Sequence, residues 1–334
     1  RFWEIGNETN LVGTRYALTA EEYADAVVRF SRAMKAVDPT ILVGALGPVS
    51  PDGPAFLDTL TPEAVERVRG MRSWEVRKYR NELEKHGRPV PGWWETVTER
   101  ADGHFDFAII HRYEGARRRF FEAGNQPLGL EERVSALDAY LRKRLGRHVP
   151  LALTEWNTNK HCEFDATEHA LTIAELVGDY LKAGVDMANY WPLRYPMPKS
   201  RTDRFRQLRT METREPRPPY TVMQTLARTA DQVVMASRAD NPELYTFASL
   251  DPGGGSGTLF VVNRLGIERG VTATLVCGGL LARNGFVLHG GSDPEELQRT
   301  PLTVRDTQAG PACTLPPRSL AVIPLGRSHS EPGE

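Results

Sequence analysis

Two glutamates stand apart by their surroundings. Glu8 closes the segment Trp3-Glu-Ile-Gly-Asn-Glu8, and Glu155 lies within Leu153-Thr-Glu-Trp-Asn157. Each follows a short apolar run and each has Asn and Trp close by. Two carboxylates facing one another across a pocket can divide the work of breaking a glycosidic bond. One protonates the departing oxygen while the other attacks the anomeric carbon. The acid must hold its proton near working pH, so its environment must raise its pKa; the nucleophile must stay ionised and needs hydrogen-bond donors. A lone Glu at a strand exit serves equally well as a helix cap or an arginine partner. The repeated Asn and Trp setting is what singles out this pair.

Other residue types fit the same chemistry. Aromatic faces cover the apolar C–H faces of sugars and exclude water. Trp156 adjoins one Glu, and Trp191 ends a strand just before Pro192. Trp191 is the better platform candidate; Trp3 reads equally as packing. His111 and Tyr113 are two apart at a strand exit and can face one side. The Tyr hydroxyl can donate to a nucleophilic carboxylate, and the imidazole can bind a sugar hydroxyl or tune a Glu proton. A buried structural role for both is the competing reading.

These groups need elements to position them. Thr19-Ala-Glu-Glu22 has the capping-box pattern, and the helix it opens carries Tyr23, Ala26, Val27, Phe30, Met34 and Val37 at helical spacing. Apolar runs over 2–6, 41–47, 105–111, 150–155 and 186–191 read as strands. Helical stretches over 130–145 and 166–183 separate the later ones, and a closing helix spans 220–229. Such alternation predicts βα units around a parallel sheet. Functional groups at several strand ends favour a (β/α)8 TIM barrel, an α/β fold, over an open sheet. Only five strands are visible, so three are expected ahead of Arg1, where the chain begins without Met or signal peptide. Beyond about residue 230 the period shortens: short strands such as 258–263, 271–276 and 320–324 alternate with Gly- and Pro-rich turns. This predicts an antiparallel β-sandwich. The expected domains are 1–229 for the C-terminal part of the barrel, 230–326 for the sandwich and 327–334 for a flexible tail.

The totals bound the partners. The chain has 334 residues with 42 basic and 43 acidic side chains, so a net charge of -1 offers no argument for a nucleic-acid partner. No apolar stretch is long enough to span a membrane. Three cysteines are too few for a disulfide scaffold, although Cys277 and Cys313 can pair if their strands adjoin. His161-Cys162-Glu163 reads as a loop rather than a metal site, since adjacent residues rarely converge on one ion. Gly253-Gly-Gly255 lacks the Lys and Ser/Thr of a phosphate loop. Arg117-Arg-Arg119 reads as a solvated face that could meet an acidic sugar. No cofactor and no metal are implied. The expected partner is a carbohydrate, homo-oligomers are compatible with the sequence, and both secretion and a cytoplasmic location stay open.

The paired motifs resemble clan A of the retaining glycoside hydrolases, in which the acid/base Glu follows Asn at the end of barrel strand four and the nucleophile Glu ends strand seven. The resemblance implies Glu8 as acid/base, Asn7 as a binder of the sugar 2-hydroxyl and Glu155 as nucleophile. Phe105-Asp-Phe-Ala-Ile-Ile-His-Arg-Tyr113 resembles strand six, which implies that Tyr113 assists the nucleophile. Asn189-Tyr-Trp191 resembles strand eight, whose Trp lines the sugar subsite. The Gly before Asn-Glu, the Glu-Trp-Asn segment and a trailing β domain look most like family 51 α-L-arabinofuranosidases, with family 39 β-xylosidases close behind. Thr154 stands where family 51 usually has Asp, Thr9-Asn10 replaces Met-Asp-Gly, and His-Arg-Tyr replaces His-Tyr-Tyr. A β-xylosidase or β-glucuronidase of the same clan, or a non-catalytic carbohydrate-binding barrel fragment, are the alternatives.

Overall fold

The computed structural model describes residues 1–11, 16–51, 53, 57, 60–69, 71, 75–76, 92–114, 129–158, 165–194, 208, 214–264, 271–275, 279–291 and 296–327. The chain divides into two compact units. One comprises 1–112, 131–156 and 183–189; the other comprises 113–130, 157–182 and 190–334.

A five-stranded sheet contains β1 (Phe2–Ile5), β2 (Leu42–Leu46), β3 (Phe107–Glu114), β4 (Leu151–Thr158) and β5 (Met187–Tyr190). Its spatial order is the chain order. The strands pair in parallel, with Glu4 opposite Gly44 and Gly44 opposite Phe107. A doubly wound sheet reverses its order at a switch point; this one never does, as in an arc of a (β/α)8 barrel. Gly44 holds its place for a steric reason. A Cβ there would lie 2.4 Å from both the Phe107 ring and Ile109 Cδ1. With no side chain on β2 at this level, the rings of Phe2 and Phe107 meet edge to face across it, 5.9 Å apart.

Helix α1 (Ala20–Val37) begins with the capping box that its sequence predicts: Thr19 Oγ1 accepts from Glu22 N at 3.1 Å, and Glu22 Oε2 accepts from Thr19 N at 2.9 Å. Its inward stripe is Ala20, Tyr23, Ala24, Val27 and Ser31, whereas Phe30 and Val37 are exposed. Large apolar residues therefore misplace the face, because the helix packs through small ones. The Tyr23 ring lies 5.3 Å from that of Trp93 at the start of a later helix (Trp93–Ala101). Its hydroxyl donates to Ile5 O at 2.9 Å and accepts from Leu46 N at 2.5 Å, which ties the ends of β1 and β2 together. Burial pushes this phenol above its ordinary pKa. Tyr23→Phe would leave a buried N–H and a buried C=O unpaired and is expected to cost about 1–3 kcal/mol. A urea titration of the variant checks this; an unchanged midpoint refutes it.

In the second unit, one sheet runs in the order β12-β11-β15-β8-β7-β6 and a smaller one in the order β13-β14-β9. The strands concerned are β6 (Val233–Met235), β7 (Leu244–Leu250), β8 (Ser256–Asn263), β9 (Val271–Thr274), β11 (Gly285–Gly290), β12 (Leu297–Leu302), β13 (Arg305–Thr307), β14 (Gly310–Leu315) and β15 (Ser319–Gly326), with the short β10 (Leu281–Ala282) beside β15. Pairing is antiparallel. Val261, Val287, Ala321 and Ile323 of the larger sheet share one core with Cys313 and Leu315 of the smaller, the layering of a sandwich. Burial pushes the Cys313 thiol up to about 11; Cys277, with which it could pair were their strands adjacent, lies outside the described residues. The Gly253–Gly255 segment is a turn closed by the Asp251 carboxylate, which accepts from Gly253 N at 2.7 Å and Ser256 Oγ at 2.6 Å.

A long helix of this unit (Ala166–Lys182) is buried on nearly every side and carries Glu168, Glu175 and Asp179 inside. Each acid has a partner. Arg264 grips Glu175 with Nε at 2.9 Å and with Nη2, Tyr245 donates to Asp179 at 2.5 Å, and Arg318 lies 3.5 Å from Glu168. No helix among the described residues is long and apolar enough to cross a membrane.

Candidate active site

Glu8 leaves β1 through an unusual turn. Gly6 has φ +83° and Glu8 itself φ +51°, a left-handed conformation uncommon for a residue with a Cβ. A strained backbone of this kind persists only where its surroundings fix it. Here Leu11 N donates to Glu8 O, and Leu18 N to Thr9 O, both at 2.9 Å. The turn projects the Glu8 side chain towards His111 of β3.

His111 is the hub of the site, with only 7% of its side chain exposed. Its Nδ1 lies 3.4 Å from Glu8 Oε1 and 3.7 Å from Glu155 Oε2. Its Nε2 lies 3.0 Å from Thr154 Oγ1 and 3.2 Å from Glu4 Oε1. One carboxylate oxygen each from Glu8 and Glu155 and a ring nitrogen of His111 all lie within 4.8 Å of one another. Burial acts to lower the pKa of His111. The neighbouring carboxylates of Glu4, Glu155 and Glu8 act the other way, Glu4 most strongly, and the net displacement is upward. Two carboxylates and an imidazole within this distance are also a donor set for a divalent ion, which would need the ring in its neutral form.

A raised folded-state pKa stabilises the fold fully below the unfolded-state value of about 6.5, and that contribution is lost as pH rises through the folded value. His111→Gln is therefore expected to lower stability more at about pH 5.5 than at about pH 8.5. Chemical denaturation at the two pH values measures the difference, and an equal loss at both contradicts it.

The other sequence candidates fall in several places. Glu155, Trp156 and Asn157 lie inside β4, and His111 and Tyr113 inside β3, because both strands run further than their apolar runs suggest. Asn7, next to Glu8, is exposed, and so is Asn189 on β5. Trp156 is wholly buried, so the structure places its ring in the core rather than on an open wall. In the second unit, Tyr113 is half-buried and Trp191 is 51% exposed. Asn157 Nδ2 donates to Trp191 O at 2.6 Å, and Asn157 Oδ1 lies 3.0 Å from His169 Nε2. His161 to Glu163 and Arg117 to Arg119 lie outside the described residues. Sequence reading missed Glu4 and Thr154 as neighbours of His111. A carboxylate inside a short apolar strand was the available signal, since a Glu is seldom buried without a partner.

No protein-family model matches the chain, and no curated protein matches it in sequence. Its fold does match solved structures. It is similar to α-L-arabinofuranosidase from Thermotoga maritima, solved as an arabinose complex, with 18% identity and TM-score 0.65 over 98% of this chain and 66% of that one. It is similar to the family 51 α-L-arabinofuranosidase of Bifidobacterium longum, with 19% identity and TM-score 0.62 over 97% of this chain and 66% of that one. A family 44 xyloglucanase from Paenibacillus polymyxa follows at 15% identity and TM-score 0.56, over 98% of this chain and 66% of that one. The chain thus spans just under two thirds of the length of these chains.

Proposed function

We propose that the protein is a retaining glycoside hydrolase of the α-L-arabinofuranosidase type. The observation that carries this reading is the approach of Glu8 and Glu155: their nearest oxygens lie within 4.8 Å, with His111 beside both. Retaining glycosidases keep their carboxyl groups about 5–5.5 Å apart, whereas inverting ones need about 6.5–9.5 Å to admit a water. The fold shared with arabinofuranosidases supports the same reading. On this view residues 1–229 belong to the catalytic barrel and 230–326 to the sandwich.

The reaction is a double displacement. Glu8 gives its proton to the departing oxygen as Glu155 attacks the anomeric carbon, forming a glycosyl ester and releasing the alcohol. Glu8, now a carboxylate, takes a proton from water, and the resulting hydroxide breaks the ester and frees the sugar. His111 places a hydrogen between the two acids and Asn7 holds the sugar 2-hydroxyl. Asn189 belongs to the proposed substrate wall, and the buried Trp156 supports the segment behind Glu155.

The test is the stereochemistry of the first product. With an aryl α-L-arabinofuranoside, proton NMR at early times should show the α anomer; initial formation of the β anomer overturns the mechanism. Aryl β-xylosides and β-glucuronides in the same assay address the sugar, and cleavage of one of these alone overturns the arabinofuranosidase assignment.

A further inference from the structure

The sheet holds a carboxylate for which the double displacement has no use. Glu4 lies on β1 opposite Gly44 of β2, whose own partner on β3 is Phe107, four residues before His111. Its Oε1 is buried and receives no well-directed hydrogen bond, yet it lies 3.2 Å from His111 Nε2. The other ring nitrogen faces Glu8 and Glu155. The ring is thus flanked by three carboxylates, Glu4 and Glu8 from the β1 side and Glu155 from β4, with the Thr154 hydroxyl as a neutral fourth contact.

A neutral imidazole carries one N–H. If it donates towards Glu4, a lone pair faces Glu8 and Glu155; it repels the Glu155 carboxylate and could be met only by the Glu8 proton, which the first step must give to the departing oxygen. If it donates towards those two, the buried Glu4 oxygen faces a lone pair instead. Only the doubly protonated ring gives a donor to each side, and a buried charge needs an opposite charge or donors close by.

We propose that Glu4 is a positioning residue of this site, holding His111 by Nε2 so that Nδ1–H is presented to Glu8 and Glu155. Glu4 fixes the rotation of the ring and supplies the negative charge that keeps its second proton. The upward displacement of the His111 pKa agrees with this arrangement. The consequence for catalysis rests on the reading of Glu8 and Glu155 given above; the coupling between Glu4 and His111 does not.

The test compares Glu4→Gln, which keeps size and an acceptor oxygen but removes charge, with Glu4→Ala, which removes both. Nitrogen-15 NMR of histidine-labelled protein follows His111, assigned by its loss in His111→Gln. The pH dependence of kcat and KM is measured on an aryl α-L-arabinofuranoside, with melting temperatures as the folding control. In both variants His111 should release its proton at lower pH than in wild type, and the alkaline limb of kcat/KM should move the same way. At neutral pH, Glu4→Ala should lose about tenfold in kcat with little change in KM, the size typical of residues that orient a working group. Glu4→Gln should approach wild-type rates on the acid side. If Glu4→Ala does not fold, Glu4→Gln carries the test. A folded Glu4→Gln in which His111 titrates as in wild type overturns the proposal. A shifted His111 in a protein that cleaves no glycoside supports the coupling and overturns the hydrolase reading instead.

Discussion

Glu155→Ala is expected to lower kcat/KM on aryl α-L-arabinofuranosides by a factor on the order of 10⁵, the scale seen when a covalent nucleophile is removed. Melting behaviour should barely change, because the Glu155 side chain is partly open, at 23% exposure, and sits among other acids. The variant also separates the two carboxylates by role. With Glu155 shortened, azide can enter the vacated space and attack the anomeric carbon directly, giving a glycosyl azide of inverted configuration. Glu8→Ala should behave differently. An aryl oxygen that leaves easily needs little help from an acid, so the first step survives while hydrolysis of the ester stalls; azide then yields the retained product. Full activity in Glu155→Ala, or the same azide product from both variants, refutes the assignment.

The second large effect concerns stability. Arg264 and Glu175 form a two-pronged ion pair in which the side chains are 7% and 3% exposed. Burial raises the Glu175 carboxyl above its usual range, and the opposing pull of Arg264 does not cancel it. Such a pair gives little over a well-packed apolar core but is costly to break, because one charge is then stranded. Arg264→Ala should therefore destabilise the second unit by about 3–5 kcal/mol. The double variant Arg264→Met, Glu175→Leu should recover most of that loss. Denaturant titrations of both variants decide; a double variant as unstable as the single one rules out the stranded charge as the cause.

Much of the candidate site was legible because the residues that meet there sit on short local signals. Glu8 and Glu155 could be read from their neighbours, and the parallel arc from the alternation of strands and helices. The capping box at Thr19 is local too. What stayed hidden depends on register across several strands. That Glu4 on β1 meets His111 on β3 depends on how three strands are aligned, and no single segment contains that fact. Thr154 likewise looked like a departure from a motif rather than a contact of the imidazole. The inward face of α1 escaped because Ala20, Ala24 and Ser31 carry too little hydrophobicity to mark a face. Trp156 looked like a sugar platform by adjacency to Glu155, but its place inside a longer β4 turns it into the core.

The left-handed backbone at Glu8 sets two demands against each other. Glycine would adopt that conformation without the steric cost of a Cβ, yet glycine has no carboxylate to give. Directed evolution scored on heat resistance alone would thus not protect the proposed acid/base residue. Position 8 has to be held fixed whenever more robust variants of this protein are sought.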